Sequence, residues 1–386
     1  MPIVKNPHRS FEDAPLAQLA LSGCSGNFID DFLKVVSWCI DNRENENDPR
    51  KAFGMPREPY LVEAAVALGG NPKKSDMIAY ADSVVRGAIG NWEWLYKHLE
   101  DWDSKTLLLD VLAYRSIGWK YVKMPLNSSS YWEGIASIGK LHSCSPRIKF
   151  AHGPEFWLLD LSEFGYEVRV LSEAIGTFNE FIYSQYQYRG RRRTLGPLPG
   201  DHVLDCGACY GGTSLYFADM VGPTGKVTSF EFFPDNIEVF DRNLDENPRL
   251  AFRIDLRQAP LWHEARRSMF IEFAGPAAQV YHADNPKNPN AHRVVSTTIE
   301  EACKNASRVD FIKADIEGSE LYALVGGKNV LEKFKPTLAI CVYHKLIDFY
   351  EIPQWLDDLK LGYRFYLQHS SIHGDETVLF ADARWR

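Results

Sequence analysis

His202-Val203-Leu204-Asp205-Cys206-Gly207-Ala208-Cys209-Tyr210-Gly211-Gly212-Thr213-Ser214-Leu215 is the stretch of this sequence that decides its fold. An apolar run ends at the acid Asp205, passes through a glycine-rich bend and continues into a helical pattern. A strand, a tight turn and a helix N-terminus in this order are typical of the ligand-binding loop of an α/β sheet. Glycine is favoured there because the backbone must approach the ligand where a Cβ would clash.

The spacing of the glycines in this loop indicates the kind of cofactor. A dinucleotide-binding loop has the pattern G-x-G-x-x-G, with the second glycine against the pyrophosphate. Here Cys209 stands at that position, and Asp205 would repel a pyrophosphate but suits an ammonium group. The loop resembles motif I of S-adenosylmethionine (SAM)-dependent methyltransferases, whose cofactor carries an amino acid and no phosphate. The resemblance implies that Asp205 anchors the SAM amino group, directly or through water. It also implies close backbone approach at Gly207, Ala208, Gly211 and Gly212.

A second acidic residue ends the next predicted strand. Lys226-Val-Thr-Ser-Phe-Glu231 predicts a strand that ends in an acid 26 positions after Asp205. In Rossmann-type sheets an acid at this point binds the ribose hydroxyls. We therefore expect Glu231 to bind the ribose and Phe232 to flank the adenine. Gln258, at the end of the third predicted strand, is the candidate for the adenine exocyclic amine.

Three later blocks extend the resemblance to a particular family. They are residues 309–321 (VDFIKADIEGSEL), 335–344 (KPTLAICVYH) and 376–381 (ETVLFA). Together they resemble the FkbM family of SAM-dependent methyltransferases over about residues 155–382. This resemblance implies a Rossmann-like class I methyltransferase sheet of seven strands whose last hairpin is antiparallel. In such proteins the segment before motif I often covers the cofactor, which makes Phe178, Tyr183 and Tyr186 candidate cofactor contacts; packing of this segment onto the sheet explains them equally well.

The periodicity divides the chain into three parts. Beyond residue 200 strands and helices alternate, which predicts an α/β fold with a mostly parallel sheet. Strands are expected near 202–207, 226–232, 251–257, 309–315, 336–343, 363–369 and 376–382. Helices are expected to begin near Gly212, Pro234, Thr297, Ser319 and Pro353. The predicted domains are a mainly helical accessory domain (1–145), a β-hairpin and cofactor-covering segment (146–200) and a SAM-binding methyltransferase domain (201–386).

The predicted accessory domain is rich in helical patterns and in aromatic residues. The helical patterns lie near 28–40, 60–68, 77–89, 92–99 and 105–117, with a linker or loop at 125–130. Aromatics such as Trp92, Trp94 and Trp102 either stack on a sugar or acyl group or fill the core, and core burial is the favoured interpretation. A polar insertion at 274–293 is long for a simple connection, and such loops are usually functional or disordered.

Composition excludes several classes of protein. No window approaches the ~18 to 20 apolar residues that span a bilayer, and the N-terminus lacks the apolar core of a secretion signal. The net charge of −8 argues against a nucleic-acid substrate. We predict a cytoplasmic protein that acts on a small-molecule or carbohydrate acceptor, and the sequence leaves a homo-oligomer open.

The cysteines and the basic run 189–193 (Arg-Gly-Arg-Arg-Arg) each have two interpretations. Seven cysteines, an odd number scattered through apolar segments, indicate reduced thiols. Cys206-x-x-Cys209 matches a redox or metal motif, but no second pair accompanies it, so packing inside the cofactor loop is favoured. The basic run is either a solvated loop or a contact for a substrate phosphate.

The predicted chemistry centres on the end of the fourth strand. Asp315 is expected at the carboxyl edge of the sheet, where ligands bind, next to His344 at the end of the following strand. We expect both to be catalytic, because an alcohol must lose its proton to accept a methyl group. In one version His344 is the base. In the other, Asp315, Glu317 and His344 hold Mg²⁺ or Mn²⁺, which lowers the pKa of the alcohol.

The sequence therefore predicts a SAM-dependent O-methyltransferase that acts on a hydroxyl of a small molecule, a sugar or a polyketide-type acceptor. One alternative is a non-catalytic SAM-binding module with a regulatory or assembly role. Another is an NAD-dependent oxidoreductase, which Cys209 and the lack of a catalytic Tyr-x-x-x-Lys pattern disfavour.

Overall fold

The computed structural model describes residues 13–23, 25–42, 68–69, 72–150, 155–271, 280–281 and 292–384. The helical pattern predicted at 60–68, apart from its end, lies outside the described residues, as does most of the insertion at 274–293.

A seven-stranded mixed sheet forms the centre of the molecule. Its strands are β6 (His202–Cys206), β7 (Lys226–Phe230), β8 (Ile254–Arg257), β12 (Phe311–Ala314), β13 (Thr337–Cys341), β14 (Arg364–His369) and β15 (Thr377–Asp382), and their spatial order is β14-β15-β13-β12-β6-β7-β8. Six of these strands run in the same direction, and only β15 runs antiparallel to its neighbours β13 and β14. This confirms the predicted α/β fold with an antiparallel last hairpin.

The central strands are apolar because helices cover both faces of the sheet. Every residue of β12, β13 and β15 is buried. A parallel strand buried on both faces loses the alternation of apolar and polar residues and becomes a continuous apolar run. Strands β12 and β13 are adjacent and parallel, with Ala314 opposite Ile340, so the residues that follow them meet at the same edge.

Smaller, separate sheets accompany the central one in the described chain. They comprise β1 (Arg147–Lys149), β2 (Glu155–Asp160) and β3 (Arg169–Ser172); β4 (Tyr188–Arg189) and β5 (Thr194–Leu195); and β9 (Ser268–Ile271), β10 (Val280–Tyr281) and β11 (His292–Val295). Strands β2 and β3 form the predicted antiparallel pair.

Helices precede the central sheet and alternate with its strands in the described chain. They are α1 (Leu16–Ala20), α2 (Phe28–Asp41), α3 (Lys74–Arg86), α4 (Ile89–His98), α5 (Trp102–Ile117), α6 (Ser129–Cys144), α7 (Ala174–Thr177), α8 (Gly212–Val221), α9 (Pro234–Glu246), α10 (Pro248–Ala251), α11 (Ile299–Ala302), α12 (Glu320–Val325), α13 (Lys328–Phe334) and α14 (Asp348–Asp358). A π-helical segment, Phe178–Tyr183, continues α7.

The N-terminal helices share a core with the sheet. Helix α5 is buried around its whole circumference and lies against β14, where the backbone N–H of Leu367 donates to Ser104 Oγ at 2.9 Å. Trp92 is 1% exposed and packs edge-on against Tyr350 of α14, with the ring centroids 5.0 Å apart. Core burial, the favoured interpretation of these aromatics, is therefore correct for Trp92.

Two element boundaries differ from those predicted. The segment 125–130 is only partly a loop, because Ser128 caps α6 by accepting from the backbone N–H of Tyr131 at 3.2 Å. Serine favours loops and helix N-caps alike, so the sequence did not separate the two. Helix α14 begins at Asp348 rather than near Pro353, since Phe349, Ile352 and Leu356 form one fully buried face. None of the helices in the described part of the chain has the length and apolarity needed to cross a bilayer.

Asp110 gives the helical region a pH-dependent stability. Its side chain has no exposed surface, and Oδ1 accepts from the backbone N–H of Ala17 at 2.8 Å. Burial raises the pKa of this carboxyl from 3.8 to about 8. Since the folded protein keeps a proton that the unfolded chain releases in this interval, the free energy of unfolding falls as pH rises through it.

We therefore expect Asp110→Asn, which removes the charge and keeps the acceptor, to be more stable than the wild type near pH 8 by about 1 kcal/mol or more. The difference should shrink toward pH 4, as urea unfolding at several pH values would show. Asp358→Asn, at a side chain that is 82% exposed, is the control. A stability difference that does not vary with pH would contradict the assignment.

Candidate active site

The loop after β6 lies against the end of β12. Gly207 adopts a φ of +83°, and its backbone N–H and that of Ala208 donate to the carbonyl oxygen of Phe230 at 3.1 and 2.9 Å. A Cβ at Gly207 would overlap the carbonyl oxygen of Asp315. Glycine is thus required here by the contact between two strand ends.

The other two glycines of the loop are explained by contacts within the protein. Gly211 has a φ of +86°, and a Cβ there would strike the ring of Phe240. A Cβ at Gly212 would strike the carboxyl group of Glu180. The sequence predicted backbone approach to a cofactor at both positions, whereas the structure places them beneath the loop, against α9 and the π-helical segment.

Asp205 forms a buried ion pair that fixes the loop. It has no exposed surface, and its Oδ1 lies 3.1 Å from Lys313 Nζ. Its Oδ2 accepts from the hydroxyls of Thr213 and Ser214 at 2.7 and 2.6 Å. Lys313 in turn donates to the carbonyl oxygen of Gly207 at 2.5 Å. Both oxygens of Asp205 thus face protein partners in this structure, and direct anchoring of an amino group by Asp205 stays a prediction.

A cleft opens at the carboxyl edge of the sheet, where ligands of α/β proteins bind. Its lining residues come from the ends of β6, β7, β8, β12 and β13 and from the start of β15: Gly207, Cys209, Phe230, Glu231, Phe232, Asn236, Ala259, Pro260, Leu261, Asp315, Ile316, Glu317, Ser319, Tyr343 and Glu376. Of the predicted site residues it contains Gly207, Glu231, Phe232, Asp315 and Glu317.

Glu231 and Gln258, two side chains that were predicted to contact the adenosine, line different cavities. Glu231 lines the cleft, and its Oε1 accepts from the backbone N–H groups of Phe232 and Phe233 at 2.7 and 2.8 Å. Burial raises the pKa of Glu231 despite these hydrogen bonds. The exposed Gln258 instead lines a separate cavity beside β8, and its neighbour Ala259 faces the cleft. Successive side chains at a strand end point to opposite sides of the sheet. A prediction that is wrong by one position therefore puts the side chain on the wrong side.

Asp315 is the centre of a hydrogen-bonded group. Its Oδ2 accepts from the hydroxyl of Tyr186 at 2.8 Å, and its Oδ1 lies 3.3 Å from the hydroxyl of Tyr343. Burial alone would raise the pKa of Asp315, but the charges of Lys313 and His344 and the hydrogen bond from Tyr186 hold it below its usual value. Asp315 therefore stays ionised at neutral pH and can accept a proton or a hydrogen bond.

His344 stands behind this carboxylate, among acids. Its Nε2 lies 3.5 Å from Asp315 and 3.6 Å from Glu317, and its Nδ1 lies 3.0 Å from Glu320. Burial would lower the pKa of His344, but these carboxylates outweigh burial and raise it to about 11. An imidazole that keeps its proton at neutral pH cannot act as a base, so the structure does not support the version of the mechanism in which His344 removes the proton.

The predicted metal ligands also come together. Asp315, Glu317 and His344 each offer one ligand atom, and these atoms lie within 4.8 Å of one another. The same imidazole, however, faces three carboxylates as a cation.

Several residues that line the cleft have a strained backbone conformation. Three residues other than glycine that line it have a positive φ: Cys209 at +47°, Glu317 at +55° and Glu376 at +63°. Such conformations cost about 1–3 kcal/mol each and are found preferentially at functional sites.

Tyr343, Glu376 and Lys313 are members of the site that sequence reasoning missed. The hydroxyl of Tyr343 lies 3.2 Å from Glu376 Oε1. Glu376 directly precedes β15, which pairs with β13, the strand before Tyr343, and this antiparallel pairing brings the two side chains together. The sequence feature that could have identified Tyr343 and Glu376 was a polar residue at each of these strand ends.

Several other predicted candidates pack inside the protein. Phe178 and Tyr183 are 0% and 4% exposed and belong to a small apolar cluster, and Tyr186 contacts Asp315 from within the core. Burial raises the pKa values of Cys206 and Cys209 well above the usual range of a thiol, which favours packing over redox chemistry.

The basic run lies at the surface. Arg193 pairs with Asp382, and Arg191, whose side chain is 73% exposed, lies 3.3 Å from Asp103. Arg191 and Arg192 are exposed in irregular backbone, which agrees with the solvated-loop interpretation.

A seven-stranded sheet with this strand order, an antiparallel last hairpin and a cleft at the carboxyl edge defines a Rossmann-like methyltransferase fold. Within it, residues 205–365 match the family model of the Methyltransferase FkbM domain.

One solved structure agrees with this fold, and a second is more distant. Methyltransferase FkbM from Methylobacillus flagellatus KT superposes with a TM-score of 0.50 at 18% identity, over 82% of this chain and 64% of that one. The match thus spans less than two thirds of the length of that relative. Aeropyrum pernix fibrillarin in complex with S-adenosyl-L-methionine matches with a TM-score of 0.32 at 14% identity, over 61% of this chain and 97% of that one. No curated protein sequence matches the chain.

The ion pair of Asp205 and Lys313 leads to a test of how the loop is held. Lys313→Met would leave a charge buried without a partner and should lower the free energy of unfolding by about 3–5 kcal/mol. The double variant Asp205→Asn/Lys313→Met removes both charges and should recover most of that loss in denaturant unfolding. Losses that simply add would show that the two side chains are not coupled.

Proposed function

We propose that this protein is a SAM-dependent O-methyltransferase that methylates a hydroxyl group of a small molecule, a sugar or a polyketide-type acceptor. The observation that carries the proposal is the cleft of the FkbM domain, in which Glu231 and the ionised Asp315 line one cavity. A small-molecule acceptor also suits the net charge of −8, which disfavours nucleic acid.

The residues of the cleft fit SAM. Glu231 is held by backbone N–H groups and presents a carboxylate to the cavity, which suits the ribose hydroxyls. Phe232, Pro260 and Leu261 supply an apolar wall for the adenine. The glycine loop around Gly207 completes the cleft opposite them. When bound, SAM supplies an electrophilic methyl group, and the reaction requires that the acceptor oxygen be in line with it.

Asp315 is the group that takes the proton of the acceptor hydroxyl. Its pKa is held low, so it is ionised over the neutral range. The hydroxyl of Tyr186 fixes Oδ2, and that of Tyr343 lies beside Oδ1, so the carboxylate is oriented before the acceptor arrives. Hydrogen bonding to Asp315 weakens the O–H bond of the alcohol and raises the nucleophilicity of its oxygen. His344, as a cation behind Asp315, positions this carboxylate.

A divalent ion at Asp315, Glu317 and His344 is the second version of the mechanism. Its support is the proximity of three ligand atoms. It requires His344 to exchange its proton for the metal, and Mg²⁺ prefers oxygen ligands to imidazole. We therefore favour Asp315 acting without a metal.

The cofactor assignment is tested by binding. Glu231→Gln should weaken SAM and S-adenosylhomocysteine by about 1–3 kcal/mol in titration calorimetry, because buried ribose hydroxyls lose a charged partner. Gln258→Ala, whose side chain faces the other cavity, is the matched control and should bind like the wild type. NAD should not bind measurably. Binding of NAD in place of SAM would establish the oxidoreductase alternative.

The base is tested by turnover at saturating SAM on a panel of sugar and polyketide alcohols. Asp315→Asn should cost about 10² or more in rate, the usual scale for loss of a general base. The rate should show no step near pH 6.5, because the pKa of His344 lies at about 11. A chelator should leave the rate unchanged. Loss with a chelator and recovery with Mg²⁺ would favour the metal version. SAM binding without turnover on any alcohol would favour the non-catalytic module.

A further inference from the structure

Arg115 of helix α5 joins two chain segments that reach the cleft. Its side chain is 5% exposed. Nε and Nη2 donate to the carbonyl oxygen of Gly374 at 2.9 and 2.7 Å, and Nη2 also donates to that of Tyr343 at 2.9 Å. Gly374 lies between β14 and β15, two positions before Glu376, and Tyr343 follows β13. Because Glu376 and Tyr343 line the cleft, one guanidinium holds together two segments of its wall.

This bridge lies beyond the end of the strand pairing. Strands β13 and β15 are paired as far as Cys341 opposite Val378, and both carbonyl oxygens that Arg115 binds come after this pair. Buried carbonyl oxygens need donors, and a guanidinium supplies several in one rigid plane. Arg115 therefore sets the spacing of the two segments where the sheet no longer does.

Further contacts hold helix α5 in place for this bridge. The hydroxyl of Tyr114 lies 3.1 Å from His373 Nδ1 in the same hairpin, and the guanidinium of Arg115 lies over the ring of Phe349, 5.4 Å from its centroid. Helix α5 is outside residues 205–365, which match the family model. The N-terminal helices thus contribute contacts at the site that the matched residues do not contain.

The bridged segment carries a side chain that orients the proposed base. The hydroxyl of Tyr343 lies 3.3 Å from Asp315 Oδ1, while the carbonyl oxygen of the same residue accepts from Arg115. A shift of the backbone at Tyr343 therefore moves its hydroxyl relative to Asp315. A displacement of about 1 Å in a catalytic site can cost about 10²-fold in rate.

We propose that Arg115 is a positioning residue of the methyl-transfer site and acts through Tyr343 on the carboxylate of Asp315. This inference rests on the proposed function. Arg115 is not among the described residues that line the cleft, so its effect reaches the reaction through the backbone that it binds. Helix α5 of the N-terminal region thereby completes the site of the methyltransferase fold.

The experiment measures kcat per bound SAM in the full chain. The stoichiometry of SAM binding in titration calorimetry counts the folded sites, and kcat on the alcohol panel is divided by it. Arg115→Lys keeps the charge but loses the planar fork that reaches both carbonyl oxygens. Its affinity for SAM should stay within about twofold of the wild type. Its kcat per bound SAM should fall by about 10-fold to 10²-fold, because the base is no longer oriented.

Arg253→Lys is the matched control. The side chain of Arg253 is 7% exposed, and its Nη1 donates to the carbonyl oxygen of Ala218 at 2.8 Å. Neither residue lines the cleft. This variant also replaces a buried arginine that binds a carbonyl oxygen, so its free energy of unfolding should fall while kcat per bound SAM stays unchanged.

A double-mutant cycle tests the route through Tyr343. Tyr343→Phe removes the hydroxyl beside Asp315. Addition of Arg115→Lys to this variant should cause little further loss of rate, because the group that Arg115 positions is already absent. Two losses of rate that multiply would show that the residues act independently and would overturn this route.

The remaining outcomes are equally decisive. An unchanged kcat per bound SAM in Arg115→Lys overturns the inference, and so does an equal loss in Arg253→Lys. If Arg115→Lys does not fold, Tyr114→Phe removes the neighbouring contact with the hairpin, and a wild-type rate in that variant overturns the inference. A wild type that binds SAM but methylates no alcohol refutes the proposed function and this inference with it, whereas an active wild type leaves the variants to decide on Arg115 alone.

Discussion

The buried ion pair of Asp205 and Lys313 is the interaction on which the site depends. Two opposite charges at 3.1 Å, with Asp205 fully buried and Lys313 almost so, join the ends of two parallel strands. Taking both from water is costly, and the pair is tolerated because further hydrogen bonds satisfy it. Thr213 and Ser214 saturate the acid, and the carbonyl oxygen of Gly207 accepts from the lysine. The loop after the first strand of the central sheet is thereby fixed before any ligand arrives.

That fixed loop separates acids that serve the fold from acids that face the cavity. Asp205 and Glu320 are fully buried and bind protein groups. Glu231, Asp315 and Glu376 line the cleft. The same residue type thus has two roles, and burial with a matched partner distinguishes them.

Neighbouring side chains in the site differ in whether they carry a proton. Asp315 keeps its charge because cations and a phenol stabilise it, whereas burial and nearby acids favour the neutral form of Glu376. His344 remains a cation because acids surround it. Side chains whose environments push their pKa values apart are a common arrangement in sites that move protons. In the mechanism that we propose, this arrangement makes the carboxylate the proton acceptor, and the imidazole positions that carboxylate.

The sequence by itself determined the strands of the central sheet, the glycine loop and the convergence of Asp315 with His344, because strand periodicity and the carboxyl-edge rule are local or topological. Glu231 was placed for the same reason. The roles of Asp205 and Gln258 were decided only by the tertiary structure. Whether an acid faces a cavity or a buried lysine depends on which side chain the adjacent strand presents, and Lys313 lies 108 positions away from Asp205. The contact of Tyr343 with Glu376 likewise required the antiparallel register of the last strands. Periodicity predicts which face a residue occupies, but partners from distant segments set its charge and its contacts.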